Sequence, residues 1–300
     1  MAKEYEYKLR LEQEDAVNKT LAYAKTHING EFLWNAKPRF GKTLTSYDLA
    51  IKMKAKNVLI VTNRPAIANS WYDDFENFIA WQTNYKFIST SDSLKERPVL
   101  TGEQFLNEQI DNENLGCIAF ISLQDLKGSL YFGGEYPKLE WVKDLKWDLL
   151  IIDESHEGVD TIKTDVAFNN ITRDFTLHLS GTPFKQVASG KFSEEQIYNW
   201  TYADEQDLKV NWNTESEENN PYENLPRLNL FSYQMSRMIT DEVNKGAEIG
   251  NDTIDFAFDL NEFFATNDKG NFIHEKDVKL WLDTLSRNEK YPFSTKELRN

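Results

Sequence analysis

Three short stretches of the chain carry residue types suited to chemistry on phosphate. The first is AKPRFGKT, Ala36 to Thr43, which fits the pattern G-x-x-x-x-G-K-[ST] at every fixed position except the first. An apolar FLW precedes it and the helix-like TLTSYDLAIKMKA follows. That order points backbone N–H groups and a helix N-terminus at a polyphosphate. Lys42 then reaches the β- and γ-phosphates, and the Thr43 hydroxyl serves Mg²⁺. A bare GKT is a common tripeptide, so its weight comes from this setting. The second stretch is DLLIIDESHEG, 149–158, in which an apolar run delivers Asp153 and Glu154 together at its carboxyl end. One such acid can hold Mg²⁺ while the other orients and deprotonates water, although acids at strand ends also simply prefer solvent. The third is HLSGTPF, 178–184, where Ser180, Gly181 and Thr182 close another apolar run. Three strand ends of this kind in one chain favour the chemical reading.

The elements around these stretches must bring them together. Residues 12–26 place Ala16, Leu21 and Ala24 at helical spacing, and GEFLWNA reads as a strand entering the loop. NVLIVT, CIAFIS, DLLIIDE and FTLHLSGT are continuous apolar runs of the buried-strand type. PAIANSWYDDFENFIA reads as one amphipathic helix with Ile67, Trp71, Phe75 and Phe78 on a stripe. Apolar strands alternating with helices predict an α/β fold with a mainly parallel sheet covered on both faces. Ligands of such sheets bind beyond the carboxyl ends of the strands, where the three polar stretches fall. Beyond residue 212 the pattern changes. NTESEENNPYENLP, 213–226, is polar and turn-rich, LNLFSY resembles a further strand, and HEKDVKLWLDTLSR is helix-like.

Composition excludes several classes. The 300 residues can bury a large core, and 40% hydrophobic with 13% aromatic residues is not a disordered composition. No apolar run approaches the roughly 18 residues of a membrane span, and the charged start does not resemble a signal peptide. The one cysteine, Cys117, sits in an apolar run and fits an inert core residue in a reducing cytoplasm. A net charge of −15 argues against non-specific coating of nucleic acid. Residues 1–60 nevertheless hold 11 Lys and Arg against 7 Asp and Glu, so the basic excess surrounds the candidate loop. His27, His178 and His274 show no metal-ligand spacing.

Taken in order, these stretches resemble the first RecA-like motor domain of superfamily-two helicases and translocases of the DEAD/DEAH type. AKPRFGKT is similar to motif I, DESH to motif II and SGTP to motif III. Upstream, LRLEQEDAV resembles the LRxxQ element before motif I. VLIVTNRPAIANSW resembles motif Ia, and FISLQDL the segment before motif II. Among such motors the PRFGKT, NWTYADEQ and NPYENLP stretches resemble subunits of restriction and phage-defence systems. The resemblance implies ATP and Mg²⁺ as ligands, with Ala36, Arg39, Gly41, Lys42 and Thr43 in the phosphate loop and Gln13 recognising adenine. It implies Asp153 on Mg²⁺ through water and Glu154 as general base. His156, with Ser180 and Thr182, would couple the nucleotide state to nucleic-acid grip. Arg64, Ser122 and Gln124 would touch a nucleic-acid backbone, DNA before RNA. For Arg39, a phosphate contact and a solvent-facing side chain both remain open.

The same resemblance implies residues 1–212 as the motor domain, 213–226 as a linker, and 227–300 as an extension or the start of a second motor domain. No G-R-x-x-R type motif follows residue 184, and these motors take an arginine finger from a second RecA-like domain. The expectation is therefore an N-terminal piece of a longer cytoplasmic ATPase, slow when alone, with restriction or modification subunits as further partners. A nucleotide-binding module without turnover and an RNA helicase domain are the alternatives.

Overall fold

A computed structural model describes residues 4–154, 162–181, 190–212, 220–225, 247–249, 252–254 and 263–285. The chain divides into two compact units, Met1–Leu225 and Pro226–Asn300. The first unit is built on strands β1 (Gly30–Ala36), β2 (Asn57–Thr62), β3 (Tyr85–Ser89), β4 (Gly116–Ser122), β5 (Leu149–Asp153), β6 (Phe175–Ser180) and β7 (Ile197–Trp200). Their spatial order is β3-β4-β2-β5-β6-β1-β7, and every neighbouring pair is parallel. Register aligns the carboxyl ends along one edge: Thr62 lies opposite both Ser122 and Asp153, and Asn35 opposite Ser180.

The continuous apolar runs are explained by burial on both faces. Along β2, Val58 and Ile60 enter one core while Leu59 and Val61 enter the other; β5 splits its residues in the same alternating way. Helices α1 (Leu11–Ala24), α2 (Lys42–Met53) and α3 (Ala68–Asp74) bring Ala16, Tyr47 and Trp71 to the first core. Helices α4 (Gly102–Asp111), α5 (Leu123–Gly128), α6 (Glu140–Asp144) and α7 (Ile162–Asn169) bring Phe105, Leu126, Val142 and Phe168 to the second. The buried indoles keep their polar atoms satisfied. Trp34 Nε1 donates to Thr20 Oγ1 at 2.8 Å, and Trp147 Nε1 to the Val142 carbonyl at 2.8 Å. Cys117 is buried in β4, and burial pushes its thiol up so that it stays protonated.

One expectation needs correcting. The helix read over PAIANSWYDDFENFIA is a 3-10 turn at Pro65–Ile67, the α-helix α3, and then a π-turn at Phe75–Ile79. The wider π-turn rotates the stripe, so Ile79 is buried with Trp71 and Phe75 while Phe78 is only partly covered. Two edge strands without a strong apolar run, β3 and β7, and the helix α8 (Tyr202–Val210) complete the unit. In the second unit, β8 (Ala247–Ile249) pairs antiparallel with β9 (Asp252–Ile254), and α9 spans Glu275–Leu285. The expected strand LNLFSY lies outside the described residues. Among the described residues no helix is long and apolar enough to cross a membrane.

Candidate nucleotide site and nucleic-acid face

The phosphate loop runs from the end of β1 into α2, as its sequence requires. Gly41 is the residue before the helix, at φ 86°. The left-handed backbone demands glycine, and a Cβ there, 2.6 Å from Gln13 Nε2, would also displace that amide. Arg39 also adopts a left-handed backbone, φ 71°, without being glycine. Its side chain is exposed at the rim of a cavity of about 350 Å³ shared by Gly41, Lys42, Thr43, Trp71, Asp153 and Glu154. Ala36, the departure from the glycine pattern, is fully buried in the core, and its carbonyl accepts from Lys42 Nζ at 2.9 Å. Lys42 is thus mostly covered and rests on a neutral carbonyl. Burial holds its ammonium below the usual lysine range, against the opposing pull of Glu154 and Asp153.

Asp153 ends β5 and faces the same cavity. Its Oδ2 accepts from Trp71 Nε1 at 3.1 Å and its Oδ1 from the Glu154 backbone N–H at 2.9 Å. Burial still pushes its carboxyl above the ordinary aspartate value. Glu154 follows at φ 52°, a left-handed turn that swings the chain away from the strand direction. A buried carboxylate and a desolvated ammonium share one cavity with a helix N-terminus. That donor set fits a triphosphate carrying a divalent ion. No group of three or more His, Cys, Asp or Glu among the described residues could hold a metal by itself.

Ser180 closes β6, fully buried. Next to it Gly181 brings the third motif against the loop: a Cβ there would lie 3.7 Å from the Ala36 carbonyl oxygen and 3.9 Å from Lys42 Nζ. His156 and Thr182 lie outside the described residues. Gln13 takes up the loop rather than open space. Its Nε2 donates to the Phe40 carbonyl at 2.7 Å and its Oε1 accepts from the Arg10 backbone N–H at 2.8 Å.

The residues expected at nucleic acid gather elsewhere on the carboxyl edge. A cavity of about 680 Å³ beyond β2, β3 and β4 is lined by Pro65, Ala66, Ser91, Ser122, Gln124 and Lys138, among others. Arg64, exposed, stands at the start of the turn that reaches it. Ser122 caps α5, accepting from the Asp125 N–H at 3.0 Å, and its hydroxyl donates to Asp125 Oδ2 at 2.7 Å. Lys138 Nζ donates to the other Asp125 oxygen at 2.6 Å. Of the remaining histidines, His178 is buried on β6 with Nε2 2.9 Å from Glu31 Oε2.

Four further participants lie within the motif-like stretches, which gave them no role. Arg10 Nη2 donates to the Phe40 carbonyl at 2.8 Å, and Trp71 supplies the indole bond to Asp153. Glu12 is buried beneath Arg10, with Oε1 2.6 Å from its Nε. Glu205, buried on α8, pairs with Lys37 inside the loop. LRxxQ hinted at Arg10, and Glu12 pairs with it two residues away, whereas the Trp71–Asp153 and Lys37–Glu205 contacts depend on packing between elements distant in sequence.

The family described as type III restriction enzyme, res subunit, matches residues 6–185. A protein of Mycoplasma pneumoniae, named as the C-terminal part of a type II restriction enzyme and methyltransferase, is 26% identical over 258 residues. That match takes in 71% of this chain and 33% of the relative, so the chain spans about a third of that protein's length. Two solved structures are similar at lower identity. A nuclease-deletion mutant of the Type ISP restriction-modification enzyme LlaGI with a DNA substrate mimic gives a TM-score of 0.48 at 18% identity, covering 69% of this chain and 21% of that one. The Sulfolobus solfataricus SWI2/SNF2 ATPase core with double-stranded DNA gives 0.44 at 15% identity, covering 63% and 35%. With more than half of its length matched, the chain belongs to the family described as type III restriction enzyme, res subunit.

Proposed function

We propose that this domain binds ATP with Mg²⁺ and hydrolyses it to drive movement along DNA within a cytoplasmic restriction system. The observation that carries the reading is the shared cavity in which Lys42, Thr43, Asp153 and Glu154 converge from two strand ends. The Lys42 ammonium, leaving the Ala36 carbonyl, binds the β/γ-phosphate oxygens, while the α2 N-terminus and the loop N–H groups orient them. The Thr43 hydroxyl and Asp153, the latter through water, hold Mg²⁺, which neutralises phosphate charge when bound. Glu154 accepts the proton of the attacking water. Glu154 lines the cavity beside Asp153, at a left-handed backbone position.

The face beyond β2, β3 and β4 is the proposed track for the DNA backbone, with Arg64, Ser122 and Gln124 as contacts that need no sequence readout. His156, Ser180 and Thr182 are proposed to link the two sites. Residues 227–300 are proposed to belong to an extension or second motor domain, with 213–226 as the linker. An arginine finger and restriction or modification subunits complete the assembly in this reading.

ATPase assays of the full-length protein with duplex DNA, single-stranded DNA and RNA compared side by side test it. DNA-stimulated hydrolysis that Lys42→Ala abolishes is expected. Stimulation by RNA alone would move the substrate class, and unchanged hydrolysis in Lys42→Ala would refute the site.

A further inference from the structure

The phosphate loop is tied to the far end of its own unit. The Phe40 carbonyl accepts two bonds at once, from Gln13 Nε2 at 2.7 Å and Arg10 Nη2 at 2.8 Å. The same Arg10 nitrogen also reaches the Arg39 carbonyl at 3.3 Å, so one guanidinium grips the loop at both residues before Gly41. Arg10 is itself held from behind. Its Nε donates to Glu12 Oε1 at 2.6 Å, and its guanidinium lies 5.9 Å from the Tyr222 ring centroid. The other oxygen of the Glu12 carboxylate accepts from the Tyr222 hydroxyl at 2.5 Å. Glu12 is 3% exposed and Tyr222 1% exposed, so the bond between them is desolvated.

Tyr222 belongs to the residues that close the first unit before the second begins at Pro226. The segment is fastened at several points: Asn220 Nδ2 donates to the Lys209 carbonyl at 3.1 Å, and Lys209 Nζ to the Leu225 carbonyl at 2.7 Å. The relay therefore joins the loop that must cradle phosphate to the point where the chain leaves the motor unit.

We propose that Tyr222 is a positioning residue for the phosphate loop, acting through Glu12 and Arg10, and that this relay couples nucleotide binding to the segment 220–225. The inference rests on the nucleotide reading of the loop. Removing the hydroxyl leaves Glu12 one donor short and frees Arg10 to turn from the Phe40 carbonyl. The loop then loses its set shape before any ligand arrives, which costs affinity because the ordering must be repeated on binding. By reciprocity, a nucleotide that fixes the loop tightens the hold on residues 220–225.

The test measures Mg²⁺–ATP and Mg²⁺–ADP affinity by calorimetry, and hydrogen exchange of residues 220–225 with and without nucleotide. Tyr222→Phe keeps the ring over Arg10, and Glu12→Gln keeps volume while removing the charge. Each is expected to weaken binding about tenfold, the lower end of what the loss of one buried bond to a charged group implies. Each should also erase the nucleotide-dependent slowing of exchange at 220–225. The double variant should be no worse than the poorer single, because both act on one relay. Tyr85→Phe separates this from lost stability. Tyr85 donates to the Ala55 carbonyl, beyond the far end of α2 and away from the relay, and its loss should lower the melting temperature without changing affinity. Lys42-dependent binding that ignores Tyr222 and Glu12 would overturn the coupling alone. Failure of the unsubstituted chain to bind either nucleotide would overturn the reading of the loop and the coupling with it.

Discussion

The site sets two desolvated groups against their own preferences: Asp153 is pushed towards its neutral form and Lys42 towards losing its proton. In the nucleotide reading a bound triphosphate with its metal relieves both, since opposite charge favours each ionised form. Trp71 is the residue that keeps Asp153 aligned meanwhile, through its indole N–H. Trp71→Phe retains most of the packing and removes only that donor. The expected result is a kcat about tenfold lower, the size of one bond to a charged acceptor. The ring should preserve the melting temperature to within a few degrees. Glu154→Gln should leave nucleotide affinity close to that of the unsubstituted chain while turnover falls at least about a hundredfold, as loss of a general base implies. Measuring binding and steady-state hydrolysis on the same samples checks both, and parallel losses in affinity and turnover would argue against the assigned roles.

Among the elements, the face proposed for nucleic acid depends on how α4 and α6 pack beside it. Gly102 begins α4, and a Cβ added there would fall 2.3 Å from the Trp141 ring, while Trp141 also lines the larger cavity. Gly102→Ala should therefore displace the indole and destabilise the fold by about 1–3 kcal/mol, the usual cost of overpacking. Urea unfolding reads that loss directly. DNA binding should weaken along with it, while affinity for nucleotide, built on the β1, α2 and β5 ends, should hold. Elements were also where sequence patterning was uneven. Runs such as NVLIVT and FTLHLS announced themselves because a strand covered on both faces must be apolar throughout. YKFIS and IYNW form edge strands with polar positions, and nothing in so short an alternation separates them from a loop. The π-turn in Phe75–Ile79 was equally hidden, because it answers the core beneath it rather than any local propensity.

For the molecule as a whole, the pair of buried His178 and half-buried Glu31 is expected to set an acid limit on stability. Burial keeps His178 below its ordinary value despite Glu31, and the hydrogen bond to His178 brings the Glu31 carboxyl down to about 2. Both signs run the same way. A histidine lowered in the folded state gives stability that is present above pH 6.5 and falls as the unfolded chain takes up the proton first. A glutamate lowered from 4.5 to about 2 gives stability that is lost as pH falls through that window. Melting temperature should therefore drop in two arms on acidification. In Glu31→Gln the lower arm should flatten, and the upper arm should widen because His178 loses the partner that favoured its proton. An unchanged profile would show that the pair does not control acid stability.

The sequence by itself determined the sheet and singled out residues that the structure gathers in one cavity. Lys42, Thr43, Asp153 and Glu154 were legible because phosphate chemistry needs those residue types at strand ends, and apolar continuity marks those ends. It could also place a resemblance across residues 9–184. What only the tertiary structure decided was the support: Trp71 beneath Asp153, Glu205 against Lys37, and Tyr222 reaching Glu12 from over two hundred residues away. Such contacts follow from parallel strands whose order in space is not their order in the chain. A motif constrains spacing along the backbone, whereas a buried hydrogen bond is specified by the packing of faces that no local pattern encodes.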